Sequence, residues 1–275
     1  MTSQYISKWI IISISGCSVL LYIFAFIATF LVKFNSIRSL VSLQLIFTCL
    51  CQSIAFLLSS DSFCVLQTFF NSFGELGKLS VSMTMMVMSV IIFNEEMQSK
   101  IKRLFLIVSM ALSWAIPLVV CSLCVLLGGA RKYSEFCWID SKEEMYAYAG
   151  IRLVIIAIAI GISMALFKKV KKLNGNSDKD YVIFEKRMIL FCVVLDLMCL
   201  IYIAFTVINF LSSFGIELNF LFPFIDVINS LSSCVLVIVF VFTKEKINFL
   251  LKKICCKDTN DKDDDNLIVY LAETE

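Results

Sequence analysis

The feature that most constrains this chain is a series of long segments without charge. Residues 9–32 carry none between Lys8 and Lys33, residues 39–60 none between Arg38 and Asp61, and residues 104–130 none between Arg103 and Arg131. A helix crosses the hydrocarbon core of a bilayer with about 20 mostly apolar residues, so each of these segments predicts a spanning helix. Three further segments hold a single charge: 146–167 (Arg152), 188–216 (Asp196) and 218–243 (Asp226). A seventh, 64–93, holds two, Glu75 and Lys78. The whole chain is 60% hydrophobic and 17% charged, with mean hydropathy +0.90. Soluble domains average about 45–50% and about 25%. The excess is too large for one buried core and calls for a lipid solvent.

This composition excludes a soluble enzyme, a disordered tail and a nucleic-acid module. A formal charge of +2 supplies no broad basic field for DNA or RNA. There is no histidine, which removes the usual general base and the commonest metal ligand. No catalytic site, metal or cofactor is expected. With only two prolines, Pro117 and Pro223, and nine glycines, unbroken helices are expected rather than the discontinuous ones of transporters.

Lys and Arg assign the orientation. With seven spans and the N-terminus outside, the inner side receives eighteen of the 24 Lys and Arg, and the outer side four: Lys8, Arg131, Lys132 and Lys142. Lys78 and Arg152 lie within spans. Omitting the third span would place the most basic loop, 168–187, outside, against the positive-inside rule. The expected fold is therefore an all-α membrane protein: a seven-helix bundle over residues 1–243, N-terminus out and C-terminus in. The first helix is expected to direct insertion itself, since no removable leader is evident.

The loop 168–187 opens with Lys168, Lys169, Lys171 and Lys172 at a membrane exit and carries the turn signal Asn174-Gly175. Such a cluster anchors topology and attracts anionic lipid, and it also offers a docking surface to a cytoplasmic partner. Residues 244–256 alternate Ile247, Phe249, Leu250, Leu251 and Ile254 with lysines, which suits a short amphipathic helix on the inner leaflet. Cys255 and Cys256 close it, as palmitoylation candidates or as free thiols. The tail 257–275 is acidic. Of the twelve cysteines most fall in apolar spans, where Cys acts as a small hydrophobe; Cys121 and Cys124 are of this kind. Cys64 and Cys137 instead face the outer, oxidising side, where disulfides persist, and are expected to bridge the second outer loop to the third span.

Charges inside the membrane are costly and mark function or structural pairing. At 1.5 Å per residue, Glu75 lies roughly 16 Å and Lys78 roughly 21 Å below the outer end of the third span. Asp226 lies roughly 10 Å below the outer surface in the seventh. Asp196 is near the midplane of the sixth, and Arg152 is near the outer end of the fifth. Turned inward, the five would form a polar core or a ligand site. Structural alternatives are a Glu75–Lys78 pair along one helix face, a lock from Lys78 to Asp196 or Asp226, and snorkelling of Arg152 to the headgroups. The seventh span has no lysine, which disfavours a retinal protein.

Together, Cys64 with Gly74 ten residues on, Trp114-Ala-Ile-Pro117 in the fourth span, and Phe136-Cys137-Trp138-Ile139 in the second outer loop resemble seven-helix G-protein-coupled receptors. The set is similar to the slime-mould cyclic-AMP-receptor family and, more distantly, to secretin-like receptors, over roughly residues 10–245. The resemblance implies a plasma-membrane receptor that couples an unidentified extracellular small ligand to a heterotrimeric G protein. It implies the same Cys64–Cys137 bridge, and a fourth helix packed on its neighbours through Trp114 and Pro117. The sequence departs from the pattern at Phe93-Asn94-Glu95-Glu96, acidic where those receptors carry a basic residue, and has no Asn-Pro near the end of the seventh span. Two other functions stay open: a small-solute transporter or channel relaying through Glu75, Lys78 and Asp196, and a receptor-fold protein that does not signal, favoured by Glu95 and Glu96.

Overall fold

The computed structural model describes residues 2–31, 37–58, 61–92, 99–133, 136–173, 179–213 and 222–241. The amphipathic segment 244–256 with Cys255 and Cys256, the acidic tail, Glu95, Glu96 and the Asn174-Gly175 turn lie outside the described residues.

Among the described residues, seven long helices form at the seven segments picked out above: α1 (Thr2–Leu31), α2 (Ile37–Leu57), α3 (Cys64–Ile92), α4 (Ser99–Gly128), α5 (Lys142–Leu173), α6 (Lys179–Ser213) and α7 (Phe222–Val241). Five of them contain stretches long and apolar enough to cross a membrane, at Lys8–Phe30, Ser39–Leu57, Leu104–Gly128, Lys142–Lys168 and Ile189–Ile208. The protein is thus helical and membrane-embedded. α7 carries a shorter apolar stretch, Val227–Val239.

α3 is not among the five, and its place in the bundle explains why. Residues 71–82 are buried without exception, because α3 packs against α2, α4 and α5. A helix sheathed by protein has no lipid to satisfy and can hold Gln67, Asn71, Glu75, Lys78 and several serines. The peripheral helices show the reverse. Leu20 of α1 and Leu126 of α4 are 69% and 79% exposed. A surface this apolar around an interior this polar is the arrangement a bilayer demands. α1 also contacts α7, α7 contacts α6 and α6 contacts α5, which closes the bundle.

Two glycines set the tightest approach. A Cβ on Gly74 would lie 2.6 Å from the Gln52 Cβ and 2.9 Å from the Thr48 carbonyl oxygen, and one on Gly77 would lie 2.6 Å from the Thr48 Cγ2. The absent side chains let the backbones of α2 and α3 close in, as small residues do between membrane helices. α4 is fixed on the other side by Trp114, which stacks on Phe47 of α2 at 5.2 Å and meets Phe73 of α3 edge-on at 6.1 Å. Pro117 is buried within α4.

At one end of the bundle the α4–α5 connection, expected as a loop, folds into a hairpin. Gly129, at φ 68°, ends α4 and donates its N–H to the Val125 carbonyl at 3.1 Å. Strands β1 (Ala130–Tyr133) and β2 (Phe136–Ile139) then pair antiparallel, with Lys132 opposite Cys137. Cys137 and Ile139 face inward and are buried. The Cys64–Cys137 disulfide ties β2 to the first residue of α3, as expected. The Cys137 N–H also donates to Gln67 Oε1 at 3.0 Å, and Phe136 meets Phe56 of α2 edge-on at 5.3 Å. Ser141 precedes α5 and donates its hydroxyl to Glu144, three residues on.

At the opposite end, α5 continues past its apolar segment to Leu173 and α6 begins at Lys179. Most of the basic loop is therefore helical rather than irregular. Lys168 is exposed. Lys169, Lys171 and Lys172 share that helical turn, and their side chains lie outside the described residues.

Candidate functional site

Among the described residues, five helices contribute side chains to one buried polar network near the hairpin end of the bundle. Its acid is Glu75. Arg152 of α5 donates from Nη1 to Glu75 Oε2 at 3.0 Å, with both side chains almost fully buried. Tyr148, one turn earlier on α5, reaches the same oxygen at 3.2 Å and the Ser72 carbonyl at 3.0 Å. The other carboxylate oxygen, Oε1, accepts from Asn229 Nδ2 of α7 at 3.1 Å. Arg152 Nη2 donates to Thr206 Oγ1 of α6 at 2.6 Å. The guanidinium lies 5.6 Å from the Tyr148 ring and 5.5 Å from the Tyr202 ring, within cation–π range of each.

Lys78 lies one turn further along α3 and does not use a carboxylate. Its ammonium donates to Gln52 Oε1 of α2, to Asn229 Oδ1 at 3.1 Å and to Ser233 Oγ at 2.6 Å. An ammonium has three donors, and all three are used. Ser233 donates back to Gln52 Oε1 at 3.2 Å, and Gln52 Nε2 donates to Asn71 Oδ1 at 3.4 Å. Tyr202 donates its hydroxyl to Asn229 Oδ1 at 2.9 Å.

Asn229 is the joint between the two halves. A carboxylate only accepts and an ammonium only donates, so Glu75 takes the amide N and Lys78 takes the amide O. The two charges fix the orientation of one side chain between them. Any shift of α7 along its axis would have to break bonds on both sides of that amide.

Of the five intramembrane charges predicted to form a polar core, three meet here: Glu75, Lys78 and Arg152. Glu75 pairs across helices with Arg152 rather than along its own helix, and Arg152, at 1% exposure, is far from snorkelling. Asp196 stands apart. It accepts from Ser163 of α5 at 3.0 Å, and its Oδ1 finds no hydrogen-bond partner among the described residues. Ten residues separate it from Thr206, roughly 15 Å along α6, so it belongs to a second polar contact between α5 and α6. Asp226 lies on α7, its side chain outside the described residues. Sequence reasoning missed Gln52, Tyr148, Tyr202, Asn229 and Ser233. The available signal was Gln52 and Asn229, amides inside the uncharged run 39–60 and the singly charged run 218–243.

Beside Arg152 is a cavity of about 260 Å³. Its walls include Trp138 of β2, Tyr148 and Leu153 of α5, and Thr206 and Val207 of α6. Trp138 and Tyr148 meet edge-on at 5.9 Å and form its hairpin-end wall. Among the described residues no group of three or more His, Cys, Asp or Glu is placed to hold a metal ion.

Comparison with known proteins adds no family to this geometry: no protein-family model matches the chain, and no curated protein is significantly similar to it.

Proposed function

We propose that the chain is a receptor of the G-protein-coupled class. It crosses the plasma membrane seven times with the hairpin end outside, and it signals to a heterotrimeric G protein by rearranging its helices. The observation that carries this reading is the Asn229 joint. One amide, bonded to both Glu75 and Lys78, couples α3 to α7, while Gln52, Arg152 and Thr206 extend the same network to α2, α5 and α6. A buried network of this kind is fully satisfied in one packing and broken in others. That makes the bundle two-state rather than continuously deformable, so a ligand favouring one packing shifts the population. The Cys64–Cys137 bridge holds the hairpin over the network as a fixed rim. The preponderance of Lys and Arg on the other side supports the orientation, and the sequence cluster Lys168, Lys169, Lys171 and Lys172 supplies positive charge for the cytoplasmic partner.

The transporter reading needs Asp196 in line with Glu75 and Lys78, and Asp196 instead bonds Ser163, away from both. The test is guanine-nucleotide exchange on co-expressed G proteins, with wild type compared to a variant carrying Ala at 168, 169, 171 and 172. Basal exchange that falls in the variant supports the receptor. Solute flux in proteoliposomes lacking any G protein, with no exchange activity, would replace it with the transporter.

A further inference from the structure

We infer that the α5–α6 seam at Asp196 is a docking site for a second membrane protein, which contributes a single transmembrane helix carrying a lysine or arginine near its middle. The inference goes beyond the receptor reading and holds whether or not the chain signals.

The charge is the first observation. Asp196 accepts from Ser163 through Oδ2 at 3.0 Å, and its Oδ1 has no hydrogen-bond partner. Glu75 takes Arg152 and Asp140 takes Arg131, and no ion pair among the described residues includes Asp196. The residue stands roughly 10 Å and roughly 18 Å from the two ends of the apolar stretch Ile189–Ile208, too deep for headgroups or bulk water to solvate it. Ionisable side chains at such depth pair with an opposite charge, and among the described residues none does so here.

The surface is the second. Asp196 is half-buried, at the margin of the core rather than inside it. Cys192, Leu195 and Cys199 of α6 face inward and are buried, whereas Val193, Leu197 and Leu200 are exposed. Across the seam, Met164 of α5, next to Ser163, is exposed as well. The carboxyl thus lies along the edge of an apolar ridge that faces lipid. A helix lying on this ridge keeps its own apolar residues against Val193, Leu197 and Leu200. The long stem of a lysine or arginine spans the ridge and delivers the charged end to the carboxylate.

Charge also selects the occupant. Between helices in lipid there is no hydrophobic drive, so a purely apolar helix gains little here over lipid, and an acidic one adds to an uncompensated charge. A second copy of this chain has no cation to offer at this depth among its described residues. Lys78 and Arg152, the basic residues within its spans, are buried and bonded within the network.

The test uses the full chain, donor-labelled, in lipid vesicles with an acceptor-labelled synthetic helix of about 20 leucine and alanine residues, and reads energy transfer at low helix-to-lipid ratio. With one central lysine the helix is expected to bind about tenfold more tightly than its all-apolar parent or a version with a central glutamate, the scale of one interhelical polar contact. Moving the lysine to the end of the helix, or changing Asp196→Asn in the chain, should remove that difference. Asp196→Lys should reverse the preference toward the glutamate helix. Equal transfer to the lysine and apolar helices, the result for a carboxyl neutralised by its own proton, would overturn the site. So would an undiminished lysine preference in Asp196→Asn when its Tm matches wild type. Transfer between two differently labelled copies of the chain, abolished by Asp196→Asn, would put a second copy in place of the basic helix and overturn the inference.

Discussion

Arg152 and Glu75 illustrate what a buried ion pair contributes. Each is held by neutral partners as well as by the other, so removing one strands the other in a place without water. Arg152→Met is expected to destabilise the bundle by about 3–5 kcal/mol, and the double variant with Glu75→Gln should recover most of that loss. Thermal unfolding of the purified single and double variants checks this; additive losses would mean that the two groups do not act as a pair. Lys78 differs because its partners are amides and a hydroxyl. Lys78→Met is expected to change basal nucleotide exchange while surface expression stays near wild type, and Asn229→Leu should change it in the same direction. Unchanged exchange at equal surface level would remove the locking role. Glu75, Lys78 and Arg152 were legible in the sequence because a charge within an apolar run costs too much to be incidental. Their partners were not. Tyrosine, serine and asparagine are tolerated in membrane helices singly, and only the folded bundle shows that Asn229 lies between two ions.

Helices were the most legible elements, since the bilayer imposes a length and a composition that local sequence must meet. The weakest prediction was α3, where Glu75 and Lys78 interrupt the apolar pattern. The structure gives the reason: α3 is enclosed by other helices, so its composition follows protein contacts rather than lipid. Its seat against α2 depends on Gly74. Gly74→Val should push the helices apart, cost about 1–3 kcal/mol by overpacking, and lower the surface level measured by flow cytometry. Wild-type expression and Tm would show that the approach is not needed. The β1–β2 hairpin was not legible. Four residues per strand are too few for a reliable alternation, and Arg131 and Lys132 obscure it. The disulfide that anchors it was legible, because topology put Cys64 and Cys137 on one side. An impermeant thiol reagent on intact cells is expected to leave both unmodified until a reductant is added. Labelling without reductant would contradict the bridge, and labelling only after permeabilisation would contradict the orientation.

For the molecule as a whole, the apolar belt and polar interior say that the solvent is lipid, and the receptor proposal takes its orientation from the positive-inside rule. Ligand site, lock and partner-docking face follow only if the hairpin end and the basic end open into different compartments. An odd number of crossings is the condition for that. The measurement is antibody access to epitope tags placed at each terminus, on cells before and after permeabilisation. Seven spans predict an N-terminal tag stained on intact cells and a C-terminal tag stained only after permeabilisation. Both tags reachable from the same side of intact membranes would contradict the receptor topology and everything built upon it.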